Sequence, residues 1–222
     1  MTFSRAKWAN SKAEIAERLE RQEAGGSYSE AIIVLCATLS AMAAEVWPGE
    51  RIDRKRFVQL LIQFSNQPPF AATISVPLLV SFLRIDGRNV EVAALKSALL
   101  NFGGSRVVTG KHVDRGEDDV LTICPSIQRS QLRKHSYANI LYERVRSPFI
   151  HEYRPGAKTS SWPMTDYADA KVSYVNWIDD PDRHIFIHTK WLVSLVREVG
   201  IRADLEQKSF PRAMPSSWWV DG

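Results

Sequence analysis

Cysteine, phosphate-binding glycine loops and clusters of metal ligands are what this chain has least of. Only two of its 222 residues are cysteine: Cys36 lies in an apolar helical run and Cys124 in LTICPSI. Each reads as a small buried hydrophobe, so neither a disulfide framework nor a thiolate metal site is expected. No apolar run stands out as long enough to span a bilayer, and the first residues lack a signal-peptide pattern. The expectation is a soluble, cytoplasmic chain with no membrane partner. Gly103-Gly104-Ser105 is not followed by GKS or GKT, which excludes a P-loop. His184 and His188 share a face of one strand, but four strand steps separate them by about 13 Å, too far to hold one ion. No metal and no cofactor is expected.

What the chain has is apolar periodicity. With 45% hydrophobic residues it can bury a full core, most simply as one domain over 1–208 followed by a Pro/Trp-rich tail, 209–222. The patterning predicts a mainly α fold, an up-down helical bundle of about five to seven helices with a C-terminal β-hairpin (170–189) and a last helix. A first helix over 4–24 presents Trp8, Ile15 and Leu19 as its contact stripe. A second, 28–46, starts at the Ser27/Glu30 capping pattern and is apolar nearly all round. Its Ala37, Ala41 and Ala44 permit close helix approach, within the bundle or across a dimer, and the bundle is favoured. Asp53 or a neighbour starts a third helix, with Phe57, Leu60, Leu61 and Phe64 inward, ending before Pro68-Pro69. Segment 74–84 fits a short buried helix or a strand, the helix being favoured, with Pro77 in its first turn, and 89–102 reads as another helix that stops at Gly103-Gly104. Residues 103–128 are expected as a loop with a short strand. Thr189 caps a last helix, 190–200, ending near Gly200. The tail, with Pro211, Pro215 and Trp218-Trp219, either docks on its own domain or serves a partner, the former being the usual case.

Charge is concentrated in one place. Residues 129–158 carry seven basic side chains, among them Arg133, Lys134, Arg144, Arg154 and Lys158, against Glu143 and Glu152 alone. The whole chain is only +4, so the remainder is close to neutral. Such a stretch suits a polyanion, and equally a solvated basic helix face.

Inside that stretch lies YANILYERVRSPFIHEY, Tyr137 to Tyr153. Tyr137, Ile140, Leu141 and Val145 recur at helical spacing. Arg146 and His151 follow, separated by four residues that include Pro148. On an unbroken helix they would stand about 140° apart in azimuth. Pro148 is therefore expected to break or restart the helix after Val145 and turn the two side chains toward each other. The Arg–His spacing is not by itself distinctive, since Arg183–His188, Arg129–His135, Arg106–His112 and Arg144–His151 also fit it. Arg183 and His188 fail as a rival pair, being about 16 Å apart along a strand.

The context LYERVRSPFIHE resembles the motif of the HEPN superfamily, in which an Arg ending an apolar helix is followed four to six residues later by a His. More loosely, 27–48 is similar to the early core helix of such domains. The resemblance implies a metal-independent endoribonuclease that leaves a 2′,3′-cyclic phosphate and works as a homodimer with two motifs facing one cleft. It also implies a toxin or phage-defence setting, with an antitoxin or neighbouring protein as partner. His151 would move protons and Arg146 would hold the scissile phosphate. Tyr142, Ser147 and Glu45 are the expected auxiliary residues, Glu45 as an orienter of Arg146 or His151. Ser147 stands where many of these enzymes have Asn, Asp or His. Arg144, Arg154, Lys158, Arg133 and Lys134 are the candidate RNA contacts. The alternative is a HEPN-like domain without activity that binds nucleic acid, a nucleotide or a protein.

Overall fold

Ser4 opens the first helix. Its hydroxyl accepts from the Lys7 amide, and the otherwise free amides of Arg5 and Ala6 donate to the Asp204 carboxylate at 2.7 and 3.1 Å. A residue near the far end of the chain thus anchors the helix start. The computed structural model describes residues 4–66, 69–100, 105–160, 170–176 and 182–220. Its fold is mainly α, a helical bundle with a small antiparallel sheet and a last helix. In order the elements are α1 (Arg5–Glu20), α2 (Tyr28–Val46), α3 (Asp53–Phe64), α4 (Val76–Ile85), α5 (Asn89–Leu99), β1 (Val107–Thr109), α6 (Gly110–Val113), α7 (Glu117–Ile123), α8 (Arg129–Lys134), α9 (Tyr137–Ile140), a widened π turn (Leu141–Arg146), α10 (Ser147–Glu152), β2 (Val172–Asn176), β3 (Arg183–Ile187) and α11 (Thr189–Leu205).

The α1–α11 contact shows why the expected stripe on the first helix is wrong. Ala9, Ala13 and Ala16 form the fully buried face, Trp8 and Leu19 flank it, and Ile15 is 38% exposed. α11 approaches so closely that only small side chains fit: a Cβ on Gly200 would lie 2.5 Å from that of Ala9. For the same reason Gly200 does not end its helix. α11 runs through it to Leu205.

Two further expectations fail on α2. Its 19 residues carry only two charges, Glu30 and Glu45, so by length and composition it could cross a membrane, contrary to the reading that no run comes near that length. Scattered Ser and Thr break the apolar run without making the helix polar. Half of the span is buried here, packed against α1, α3, α10 and α11. The small-residue stripe does not serve the bundle, because Ala37 and Ala41 face outward and are exposed.

α3 buries Phe57, Leu60, Leu61 and Phe64 as its spacing predicts, and α4 carries Pro77 in its first turn. α5 is described to Leu99, and the Gly103-Gly104 stop lies outside the described residues, as does Pro68. The region expected as a loop with a short strand holds that strand, β1, and also the short helices α6 and α7, which were not expected. Elements of three to seven residues offer too few turns for periodicity to register. β1 pairs antiparallel with β2 (Val107 opposite Val175), and β2 with β3 (Val172 opposite Ile187), giving a three-stranded sheet. Residues 177–181 of the expected hairpin lie outside the described residues.

Two apolar clusters result. The larger joins α1, α2, α3, α9 to α11 and the hairpin, and the smaller gathers α4, α5, α7 and α8 around Leu79, Leu83, Leu95 and Val120. Cys36 lies in the first and Cys124 in the second, both as free buried thiols. Polar groups tie the sheet to the helices at Asp114. This carboxylate accepts from the Tyr137 hydroxyl, from the Tyr174 hydroxyl at 2.7 Å and from the Val76 amide at 2.9 Å. The tail docks on its own domain. The Trp219 amide donates to Gln59 Oε1 at 2.8 Å, Arg133 donates to the Trp219 carbonyl at 3.1 Å, and Trp218 meets Trp47 edge-on.

Candidate functional site

Of the break or restart expected at Pro148, the restart is what occurs: α10 begins at Ser147 with Pro148 in its first turn. Ile140, Arg146 and Ser147 all keep right-handed helical dihedrals, so the chain runs on from α9 to α10 without a kink. What absorbs the proline is a change of hydrogen-bond register. The Ser147 amide reaches five residues back to the Tyr142 carbonyl, a π-type bond of the kind that often marks functional sites. Pro148 has no N–H to offer the Arg144 carbonyl, and that carbonyl accepts instead from the Gly156 amide at 2.9 Å. Tyr153 adopts a left-handed conformation (φ 54°) and turns the chain back to make this closure possible.

Arg146 is half-buried against α2. Its Nε donates to Ser40 Oγ at 3.2 Å, and its guanidinium lies 5.1 Å from the centre of the Tyr142 ring. Tyr142 in turn packs on Phe57. No carboxylate pairs with Arg146 among the described residues: Glu143 binds Arg54 at 3.1 Å, and Glu152 binds Arg154. The positive charge lies beside Cys36, whose thiol burial nonetheless pushes up to about 12. That sulfur is a poor candidate for nucleophilic chemistry.

His151 sits on the last turn of α10, exposed, and makes no hydrogen bond or ion pair among the described residues. The structure joins Arg146 to Tyr142 but brings neither into hydrogen-bond contact with His151. Continuous helical dihedrals keep the pair on different faces, about 140° apart for five steps. Ser147 is half-buried in the first turn of α10, next to Arg146. Glu45 is not an orienter of either residue. Its side chain is bound by Arg5 of α1, whereas Arg146 meets Ser40, five residues earlier on α2.

Most of the basic stretch is neutralised. Arg133 pairs with Glu117 at 2.8 Å and lies over the Trp219 ring, Arg154 pairs with Glu152, and Lys158 pairs with Asp182 and bonds Ser81. Arg129 pairs with Glu117 and Asp118. Arg144 donates to the Ala157 carbonyl at 3.3 Å, and burial lowers its pKa, Glu143 partly offsetting this. Lys134 is exposed with no pairing among the described residues. Of the basic stretch, this leaves Lys134, Arg144 and Arg146 without a carboxylate hydrogen bond or ion pair among the described residues. Glu117 and Asp118 of α7 and Asp182 just before β3 are distant in sequence from the groups they neutralise, whereas Glu152 stands two residues from Arg154.

Ser40 was not among the residues singled out from sequence. Its signal was faint: a hydroxyl between Ala37 and Ala44 on the one outward strip of an otherwise buried helix. No group of three or more His, Cys, Asp or Glu able to hold a metal occurs among the described residues. No family model, curated protein or solved structure matches this chain.

Proposed function

We propose that this chain is a HEPN-like domain that cleaves RNA without a metal, with Arg146 gripping the scissile phosphate and His151 transferring protons in a cleft between two copies, since within one chain the two side chains lie on different faces. The observation that supports this most is that neither side chain is tied up by a carboxylate among the described residues. Arg146 is held by a neutral hydroxyl and an aromatic face, with no carboxylate on it among the described residues, and His151 is exposed with no partner there. A guanidinium needed only for stability would be expected to pair with Glu143 or Glu152, and both are occupied elsewhere.

RNA supplies its own nucleophile. The 2′-oxygen bonds to phosphorus as the bond to the 5′-oxygen breaks, giving a 2′,3′-cyclic phosphate and a 5′-hydroxyl. One proton leaves the 2′-hydroxyl and one arrives at the 5′-oxygen, and imidazole suits either transfer near neutral pH. Arg146 stabilises the charge that builds on the phosphate. One histidine per chain does not serve both transfers, so a homodimer supplies the second. The exposed Ala37 and Ala41 flank Ser40 on α2, and the dimer reading puts the contact between copies at this small-residue face beside Arg146.

The test is incubation of purified protein with RNA in EDTA, wild type beside His151→Ala and Arg146→Ala. Loss of about 100-fold or more in each variant supports the reading, and equal cleavage by all three ends it. The second reading, a HEPN-like domain that binds RNA or a partner without cutting, is favoured by one observation, the neutralisation of most of the local basic charge. It predicts salt-sensitive RNA binding with the RNA left intact.

A further inference from the structure

Glu198 breaks the pattern of the helix that carries it. Trp191, Leu195 and Glu198 follow one another at i, i+4 and i+7 on α11, so a carboxylate continues a stripe whose first two members are buried apolar side chains. A helical side chain leans toward the turn N-terminal to it, which aims this one back along the stripe. There, between α11, the end of α3, the Phe70–Ala72 turn and the residues leading into β2, lies a cavity of about 320 Å³, within the size range that takes a small organic ligand. Phe70 and Trp191, whose rings meet edge-on at 5.3 Å, wall it together with Leu195. Charge of both signs lines it: Glu198 is the carboxylate, and Lys171 and Lys190 are the cations. Glu198 Oε1 is shut off from solvent and has no hydrogen-bond partner. Burial raises the pKa of this carboxyl against the pull of Arg202, of the Asn66 backbone and of Lys171, and neither cation is ion-paired with it among the described residues. Lys171 lies over the Phe70 ring, 4.1 Å from its centre, a contact that supplies no counter-ion. Lys190 is exposed, and its side chain makes no hydrogen bond or ion pair among the described residues.

We propose that this cavity binds a small zwitterion with an apolar body, either a free α-amino acid or a short peptide with free ends. The ammonium group of the ligand faces Glu198, its carboxylate lies toward Lys171 and Lys190, and its apolar part rests against Phe70, Trp191 and Leu195. A carboxylate drawn part way out of water without a counter-ion destabilises the fold, and an entering ammonium group compensates it. An anion alone would leave Glu198 uncompensated, and an amine alone would meet two lysines. Only a ligand carrying both charges on one apolar frame satisfies the three groups together. The inference does not depend on the RNase reading, since none of these residues belongs to the Arg146–His151 pair.

Calorimetric titration tests it, using phenylalanine, the dipeptide phenylalanylalanine, phenethylamine, which lacks the carboxylate, and 3-phenylpropionate, which lacks the amine. Wild type is compared with Glu198→Gln, which keeps the shape and removes the charge, and with Lys171→Gln at an exposed position. The expected result is saturable binding of phenylalanine or the dipeptide, at least ~10-fold tighter than of phenethylamine and of phenylpropionate, and at least ~10-fold weaker in each variant. The dipeptide assigns the source: phenylalanine binding at least as tightly identifies a free amino acid, and tighter dipeptide binding identifies a peptide. Glu198→Gln is also expected to melt at or above the wild-type temperature, because it removes an uncompensated charge. Absence of saturable binding by both zwitterions, equal binding of the amine or the acid alone, or unchanged affinity in Glu198→Gln overturns the proposal. A lower melting temperature for Glu198→Gln, showing a carboxylate that serves the fold, overturns it as well. Binding is read without RNA, so failure of the RNase reading leaves these outcomes unaffected.

Discussion

The Gly156 amide donates to the Arg144 carbonyl at 2.9 Å, and that carbonyl is the one Pro148 leaves without a helical partner. A proline expected to break or restart the helix is accommodated by a loop folding back twelve residues after the acceptor. The contact is also tight. A Cβ on Gly156 would stand 2.8 Å from the Arg144 oxygen and 3.0 Å from Pro148 Cγ. Gly156→Ala is expected to lower stability by roughly 1–3 kcal/mol, as overpacking typically does. Urea unfolding checks it, and an unchanged midpoint would show that the closure contributes nothing.

Gly200→Ala gives a test by sign. In an exposed helix interior this change gains about 1 kcal/mol. Here the added methyl meets Ala9 Cβ at 2.5 Å and the Arg5 carbonyl at 3.2 Å, so the expected outcome is destabilisation and a lower melting temperature. A higher melting temperature would mean that α1 and α11 are not packed this closely.

Asp114 links stability to pH. Burial pushes its pKa up to about 7, against the pull of the Tyr137 and Tyr174 hydroxyls and the Val76 amide. A carboxyl raised from 3.8 binds more protons folded than unfolded between about pH 4 and 7. Its contribution to stability therefore falls as pH rises through that window. Asp114→Asn, which stays neutral, should flatten this fall in a series of unfolding curves from pH 4 to 8. A variant whose curve parallels wild type would assign the slope to other groups.

The tail covers aromatic surface. Trp218 lies on Trp47, Phe210 and Arg212 lie on Phe64, and Val220 is buried. Ending the chain at Glu206 should lower both solubility and melting temperature, read by light scattering and calorimetry. A truncated chain that stays monomeric and equally stable would favour a partner-binding tail.

The sequence made the long helices legible because each repeats its apolar pattern over several turns. α2 and α3 begin within a residue of their expected starts, at the Ser27 cap and at Asp53. It was least informative where distance along the chain hides proximity in space. Nothing in the local pattern around Glu117 or Asp182 announces that they neutralise Arg133 and Lys158. The stripe on α1 misled because hydrophobicity favoured Trp8 and Ile15, whereas the close approach of α11 selects Ala9, Ala13 and Ala16. At the candidate site, Arg146 and His151 were legible as unusual residue types in an apolar helix. Their relative direction was not, because a π turn and the Gly156 closure carry the helix through Pro148 without the change of direction expected there.

The chemistry of the cut ends tests the central claim most directly. An RNA oligonucleotide and its counterpart with 2′-deoxy sugars throughout are incubated with the protein in EDTA, and the products are weighed by mass spectrometry. The account predicts fragments ending in 2′,3′-cyclic phosphate from the RNA, none from the deoxy strand, and loss of both fragments and rate with His151→Ala. Cleavage of the deoxy strand, or intact RNA after prolonged incubation at high protein concentration, would contradict it.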